Sequence, residues 1–232
     1  MKYVTFSFDD GVTQDKRLIA LFDRYGLKCT FNINSSLLGL KGGWTQNGKP
    51  MTHNKVSPFE VKDIYEGHEV AVHTLTHPNL TMECDEAVIY QVREDQKQLS
   101  RLAGYEVCGM AYPCGGVNND DRVAAIIKEH TPVRYARTIT STYSFDLPQN
   151  MLRLNPTVHI CDTEKLFALA KEFIEMKTDE PKIFYIWGHS YEFDVTDRMD
   201  WEKMEEFCQL ISGKDDIVYG TNTEVFKALN LI

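Results

Sequence analysis

Long apolar runs are missing from this sequence: no charge-free stretch approaches the roughly 18 residues of a membrane-spanning helix. Basic charge is also scarce, with 25 Lys and Arg against 34 Asp and Glu, for a formal net charge of -9. That field repels polyphosphate, and no basic patch offsets it, so nucleic acid and membrane surfaces are excluded as expected partners. A neutral or cationic small molecule or glycan remains compatible. The six cysteines contain no CxxC pair, which argues against a zinc ribbon or a disulfide framework and for reduced thiols. A secretory leader pattern is absent too, because Asp9 and Asp10 interrupt the short apolar stretch at the N-terminus. The expected location is therefore cytoplasmic. With no repeat, low-complexity tract or linker, residues 1–232 are expected to form a single domain.

What is present is an ordinary globular composition, 43% hydrophobic, 11% aromatic and 25% charged, enough to bury a core. Tyr3 to Phe8 alternate and are rich in Val, Thr and aromatics, which predicts a buried strand ending at the turn Asp9-Asp10-Gly11. Leu18, Ile19, Leu21, Phe22 and Tyr25 recur at helical spacing, Gly26 supplies a stop, and Cys29 to Ile33 reads as a second strand. Residues 34–57 hold four glycines and a proline without a sustained period, so a long loop, with Trp44 in it, is expected over the site. Further strands are predicted at Glu69–Val72, Val107–Tyr112, Val133–Thr138, Lys182–Trp187 and Ile217–Tyr219, alternating with helices, with an irregular stretch between Thr138 and a helix that begins near Thr163. Such alternation implies right-handed crossovers and a mainly parallel sheet, open or curled into a barrel, with its chemistry at the carboxyl ends of the strands.

The polar clusters fall at those ends. Two adjacent carboxylates, Asp9 and Asp10, repel each other at the mouth of a buried strand, so one protonates or a cation sits beside them. A solvated turn is the alternative. His73 and His77 stand four apart in His73-Thr74-Leu75-Thr76-His77, a spacing that lets two imidazoles converge on one ion. One carboxylate and two histidines leave open positions on the ion, as a catalytic zinc requires, and the same triad also suits iron(II).

At these residues the sequence resembles the polysaccharide deacetylases, carbohydrate esterase family 4, also called the NodB homology domain. Ser7-Phe8-Asp9-Asp10-Gly11 looks like the family's TFDDG motif, His73 to His77 like its H-[ST]-x-x-H pair, and Trp187-Gly188-His189 like its last motif. The resemblance implies an α/β fold, a distorted, incomplete (β/α) barrel of about seven mainly parallel strands. It also implies a metal-dependent hydrolase that removes N-acetyl groups from an N-acetylated sugar or polysaccharide. Asp9 would be the catalytic base and His189 the catalytic acid. Asp10, His73 and His77 would hold one divalent ion, zinc, with cobalt or nickel as alternatives. The R-x-P-Y-G motif aligns with Ala111-Tyr112-Pro113-Cys114-Gly115, so the oxyanion donor would come from Cys114, with Tyr112 beside it and Trp187 lining the acetyl pocket.

Two departures stand out. Ala111 replaces the arginine that steadies the base in the family, and Arg137, at the end of the following predicted strand, is the candidate substitute. The Asp-Trp pair that orients the acid histidine is not recognisable, leaving Asp146 and Glu192 as stand-ins. His53, His68, His130 and His159 have no partner at ligand spacing and read as structural or surface residues. The alternatives to deacetylation are hydrolysis of a small amide, as in allantoinase-like relatives of the fold, and a metal- and carbohydrate-binding domain with weak catalysis.

Overall fold

Strand β1 (Lys2–Asp9) is buried over its whole length and shows why the chain curls. Val4, Phe6 and Phe8 point outward into a core shared with the helices, whereas Tyr3 on the opposite face packs with Tyr135, Ile183 and Tyr185 inside the sheet. The period of two thus puts aromatic mass on one face and a polar series, Thr5, Ser7 and Asp9, on the other. The computed structural model describes residues 1–46 and 48–232.

The remaining strands are β2 (Cys29–Ile33), β3 (Gly43–Gln46), β4 (Lys49–Thr52), β5 (Glu69–Val72), β6 (Gly109–Ala111), β7 (Tyr135–Arg137), β8 (Val158–His159), β9 (Lys182–Gly188) and β10 (Ile217–Tyr219). Helices are α1 (Asp15–Arg24), α2 (Val61–Ile64), α3 (Asp85–Ala103), α4 (Asp121–His130), α5 (Thr163–Glu175), α6 (Glu192–Val195), α7 (Trp201–Ile211) and α8 (Asn222–Ala228). Seven strands run in the order β7-β6-β5-β2-β1-β9-β8, and β10 adds to the first half of β1. Every ladder in this sheet is parallel.

The barrel is incomplete for a visible reason. Between its edges β7 and β8 there is only an irregular segment, which bridges Leu154 to Arg137 before entering β8. The expected distorted (β/α) barrel is therefore the observed fold. α8 plugs the end opposite the strand C-termini: Phe226 and Val225 join the interior cluster, and Asn222 accepts from Thr5 and donates to Tyr185.

Two expectations require correction. The segment 34–57 is not a featureless loop, because β3 and β4 pair as an antiparallel hairpin with Trp44 opposite Met51. The irregular stretch before α5 also contributes β8, which pairs with β9 at only two positions and is too short to leave a periodic signal. Among the described residues, no helix is long and apolar enough to cross a membrane.

Candidate metal centre and active site

Parallel pairing gathers the polar residues on one rim. Register puts Asp9 opposite Asn32, Ala111 opposite Arg137, Phe8 opposite Gly188 and His159 opposite Trp187. His73 follows β5 directly, its N–H donating to the carbonyl of Ile33 at 3.2 Å.

Asp10, His73 and His77 each offer a ligand atom, and these three atoms lie within 4.8 Å of one another. Their backbones are bent for it: Asp10 (φ 84°), Thr74 (φ 67°), His77 (φ 63°) and Cys114 (φ 69°) all adopt left-handed conformations without being glycine. Such residues cost on the order of 1–3 kcal/mol each and persist where the surroundings enforce them. Four of the six in the described chain border this site, so the strain is concentrated where these three side chains converge. Gly11 completes the turn at φ 61°, where an added Cβ would sit 2.7 Å from Ile33.

The donor set fits a divalent ion. His73 Nδ1 is 2.9 Å from the carbonyl of Ala111, which assigns its proton to Nδ1 and leaves the Nε2 lone pair free. Burial lowers the His73 pKa to about 4, so the ring is neutral and able to ligate at pH 7. Burial likewise lowers that of His77, whose Nε2 stands 3.6 Å from Asp10 Oδ1.

Both aspartates are buried, and each has its own cation. Arg137, fully buried, directs Nη2 at both Asp9 oxygens, and Asn32 Nδ2 donates to Oδ1 at 2.9 Å. Burial alone would raise the Asp9 pKa, but Arg137, then His73 and His189, outweigh it and lower the pKa. At Asp10, desolvation is overcome by the hydrogen bond with His53 and by the Lys55 charge, which hold the pKa well below the carboxylate range. Lys55 Nζ donates to the Asp10 carbonyl at 2.6 Å, and His53 Nε2 is 3.2 Å from Oδ2. The like-charge problem posed by the sequence is thus solved by separate cations, with neither group protonated.

His189 lies with Nε2 4.0 Å from Asp9 Oδ2 and Nδ1 3.3 Å from Glu192 Oε2. The latter is an ion-pair distance whose angle misses that of a hydrogen bond; the firm anchor is the His189 N–H, which donates to the same oxygen at 2.9 Å. Burial would lower the His189 pKa, yet Glu192 and the two aspartates raise it to about 9. Glu192, despite burial, is lowered to about 2 by His189 and His159. Gly188 makes this packing possible, since a Cβ there would meet Ile160 at 2.3 Å and Glu192 Oε2 at 3.2 Å.

Of the two stand-ins named from the sequence, Glu192 reaches the histidine. Asp146 is exposed and pairs with Lys182. Arg137 also packs over the Trp187 ring at 4.5 Å. Cys114 borders the cluster, with Sγ 3.7 Å from His77 Nδ1, and among the described residues its N–H has no acceptor. Tyr112 does not join the site: its buried hydroxyl donates to the Leu152 carbonyl at 2.6 Å, so the side chain is wall rather than substrate contact.

Sequence reasoning missed Asn32, His53, Lys55 and the placement of His159. His53 and His159 are not isolated structural or surface histidines: the first touches Asp10, and the second packs on Trp187 with ring centroids 4.4 Å apart. His159 also lies 3.5 Å from Glu192. The one available signal was the Asn47-Gly48 dipeptide, a hairpin cue in sequence, which would have carried residues 53 and 55 back toward the strand ends.

A polysaccharide deacetylase family model matches residues 1–132. Among curated proteins, a peptidoglycan-N-acetylglucosamine deacetylase of Listeria monocytogenes is 26% identical over 119 residues, which is 50% of this chain and 22% of the relative's length. Among solved structures, the Xyl-CE4 domain of a multidomain xylanase from the hindgut metagenome of Trinervitermes trinervoides superposes with a TM-score of 0.60. Its sequence identity is 14%, over 99% of this chain and 91% of that one. A family 4 acetyl xylan esterase from Clostridium thermocellum, in complex with cobalt, gives 0.58 at 14% identity over 98% and 92%. At these identities the superpositions speak for the fold.

Proposed function

The chain belongs to the polysaccharide deacetylase family, and from that premise we propose that it hydrolyses N-acetyl groups on an amino sugar of a glycan with the help of one divalent ion. The observation that carries this reading is the convergence of Asp10, His73 and His77 beside an ionised, cation-held Asp9. Those three residues would hold the ion, zinc in the first instance, with cobalt or nickel able to replace it. When bound, it supplies Lewis acidity to a water molecule and to the acetyl carbonyl.

The protein's own groups do the rest. Asp9, ionised and oriented by Arg137 and Asn32, accepts the proton of the attacking water at its carboxylate. The Cys114 N–H, which has no acceptor among the described residues, is a donor for the negative charge developing on the acetyl oxygen. His189, kept protonated through Glu192, passes its Nε2 proton to the departing nitrogen as the C–N bond breaks. Water adds to the acetyl carbon, acetate leaves, and the sugar retains a free amine. Trp187, backed by His159 and Arg137, closes the pocket for the methyl group. An acid of raised pKa suits an amide, whose nitrogen must be protonated to leave.

Metal analysis should find about one divalent ion per chain in the purified protein, and His73→Ala should remove it. Asp9→Asn should keep the ion while acetate release from N-acetylglucosamine oligomers falls by on the order of 10²–10⁴. An Asp9→Asn protein with ordinary rates would rule out the base.

A further inference from the structure

A second cluster of metal-ligating side chains lies beside the acid histidine, and hydrolysis does not use it as a cluster. His159, Cys161 and Glu192 each offer one ligand atom, and these atoms lie within 4.8 Å of one another. Local backbone brings them together. β8 ends at His159, opposite Trp187, and the chain turns at once, the Asp162 N–H donating to the His159 carbonyl at 3.0 Å. That turn carries Cys161 back to His159, whose Nδ1 accepts from the Cys161 N–H at 3.2 Å, while Glu192 comes from the first turn of α6.

The spacing suits an ion. A tetrahedral centre with bonds of about 2.0–2.3 Å holds its ligand atoms about 3.3–3.8 Å apart, and His159 Nε2 already stands 3.5 Å from Glu192 Oε2. Burial lowers the His159 pKa, so the ring is neutral and keeps a lone pair at pH 7. Ligation through Nε2 moves the ring proton to Nδ1 and gives up the long bond from Cys161, a modest loss against three ligand bonds. Cys161 is half-buried and lines a cavity of about 430 Å³ with Asp162, Glu164, Arg198 and Lys203, which opens a route from solvent. That cavity shares no lining residue with the one beside Asp10 and His77, so each ion has its own entry. The thiol makes this set softer than Asp10, His73 and His77, and so selective for thiophilic metals.

We propose that His159, Cys161 and Glu192 bind a second divalent ion, of the thiophilic class of zinc and cadmium, and that its occupancy inhibits the enzyme. The thiol binds as thiolate and releases its proton to solvent. Because burial pushes the Cys161 thiol up, that release makes this the weaker of the two sites, filled only after the Asp10 centre. The Glu192 oxygen that faces His159 is also the one that accepts from the His189 N–H at 2.9 Å and stands 3.3 Å from its Nδ1. An ion on that oxygen competes with His189 for it and slackens the hold on the acid. Only this inhibitory consequence rests on the deacetylase reading; the binding site does not.

Cobalt titration of the full, metal-free chain separates the two sites. Wild type should take up two cobalt ions, the second at least about tenfold more weakly, and a near-ultraviolet thiolate-to-cobalt band should grow with the second alone. Cys161→Ala should abolish that band and weaken the second ion by on the order of 100-fold, while an unchanged first equivalent shows that the fold is kept. On the zinc-loaded protein, excess zinc should cut acetate release from N-acetylglucosamine oligomers about tenfold in wild type and leave Cys161→Ala at its own rate. A single cobalt equivalent in wild type, or a band that survives Cys161→Ala, would overturn the site. Excess zinc that inhibits both proteins equally, or neither, would overturn the inhibition. A zinc-loaded wild type that releases no acetate from any N-acetylated glycan would overturn the deacetylase reading and the inhibition with it, while the cobalt result still decides the site.

Discussion

Replacing Arg137 by glutamine should destabilise the protein in a way that grows with pH. The guanidinium is fully buried and supplies the cation that keeps Asp9 ionised, while also donating through Nε to Ser7 Oγ at 3.2 Å and through Nη1 to the Thr138 carbonyl at 3.1 Å. Removing one partner of a buried ion pair leaves the other charge uncompensated, at a cost of about 3–5 kcal/mol. In a chain of this length that corresponds to a fall in Tm of about 6–10 °C. Without the cation, burial dominates at Asp9 and its folded-state pKa moves above the unfolded value. A raised carboxyl contributes stability that is complete below the unfolded pKa and lost as pH rises through the folded one, so the deficit should widen from pH 4 to pH 8. Urea denaturation of the metal-free protein across that range measures it. The double variant Arg137→Gln/Asp9→Asn, lacking both charges, should be more stable than Arg137→Gln alone by about 1–3 kcal/mol at neutral pH. A deficit that is flat with pH, or a second substitution that only adds damage, would refute the argument.

Glu192→Gln should lower the His189 pKa from about 9 by on the order of 1–3 units, because burial then acts with less opposition. Histidine-ring NMR titration of the metal-free protein reads this directly, and an unchanged value would dismiss Glu192 as the group that holds the proton. The raised His189 pKa contributes stability that is full below about pH 6.5 and lost as pH rises through about 9, a component Glu192→Gln should reduce. Asp15, buried and pushed by desolvation from 3.8 to about 7, accepts from Ser190 and Tyr65. Its preference for the neutral form stabilises the fold below about pH 4 and is lost as pH rises through about 7, so Asp15→Asn should gain up to about 4 kcal/mol over wild type at pH 8. Chemical denaturation at pH 4 and pH 8 checks this, and an Asn variant equally weaker at both would contradict it.

Much was legible in one dimension because it depends on local periodicity. The alternation in Tyr3–Phe8 required a strand, and the apolar spacing in Asp15–Arg24 required a helix packed behind it. Repetition of that unit required a parallel sheet, whose geometry sends every strand end to one rim. Asp9, Asp10, His73 and His77 were therefore recognisable from position and spacing. Elements with few residues escaped: β8 has two, and the period of a four-residue strand such as β3 is drowned by neighbouring glycines.

What sequence order could not supply is the pairing of charges across long separations. Arg137 meets Asp9 from 128 residues away, Lys55 reaches Asp10 from 45, and Gln14, which holds Thr52 of the hairpin, also reaches Asp194 on α6 across 180. Periodicity dictates which face a residue occupies, but not which distant side chain faces it across the barrel mouth. Strand order and register decide that, so residue type and local spacing determined the candidate ligands, and only the closed-in sheet decided which buried cations and carboxylates hold the site's groups in their charge states.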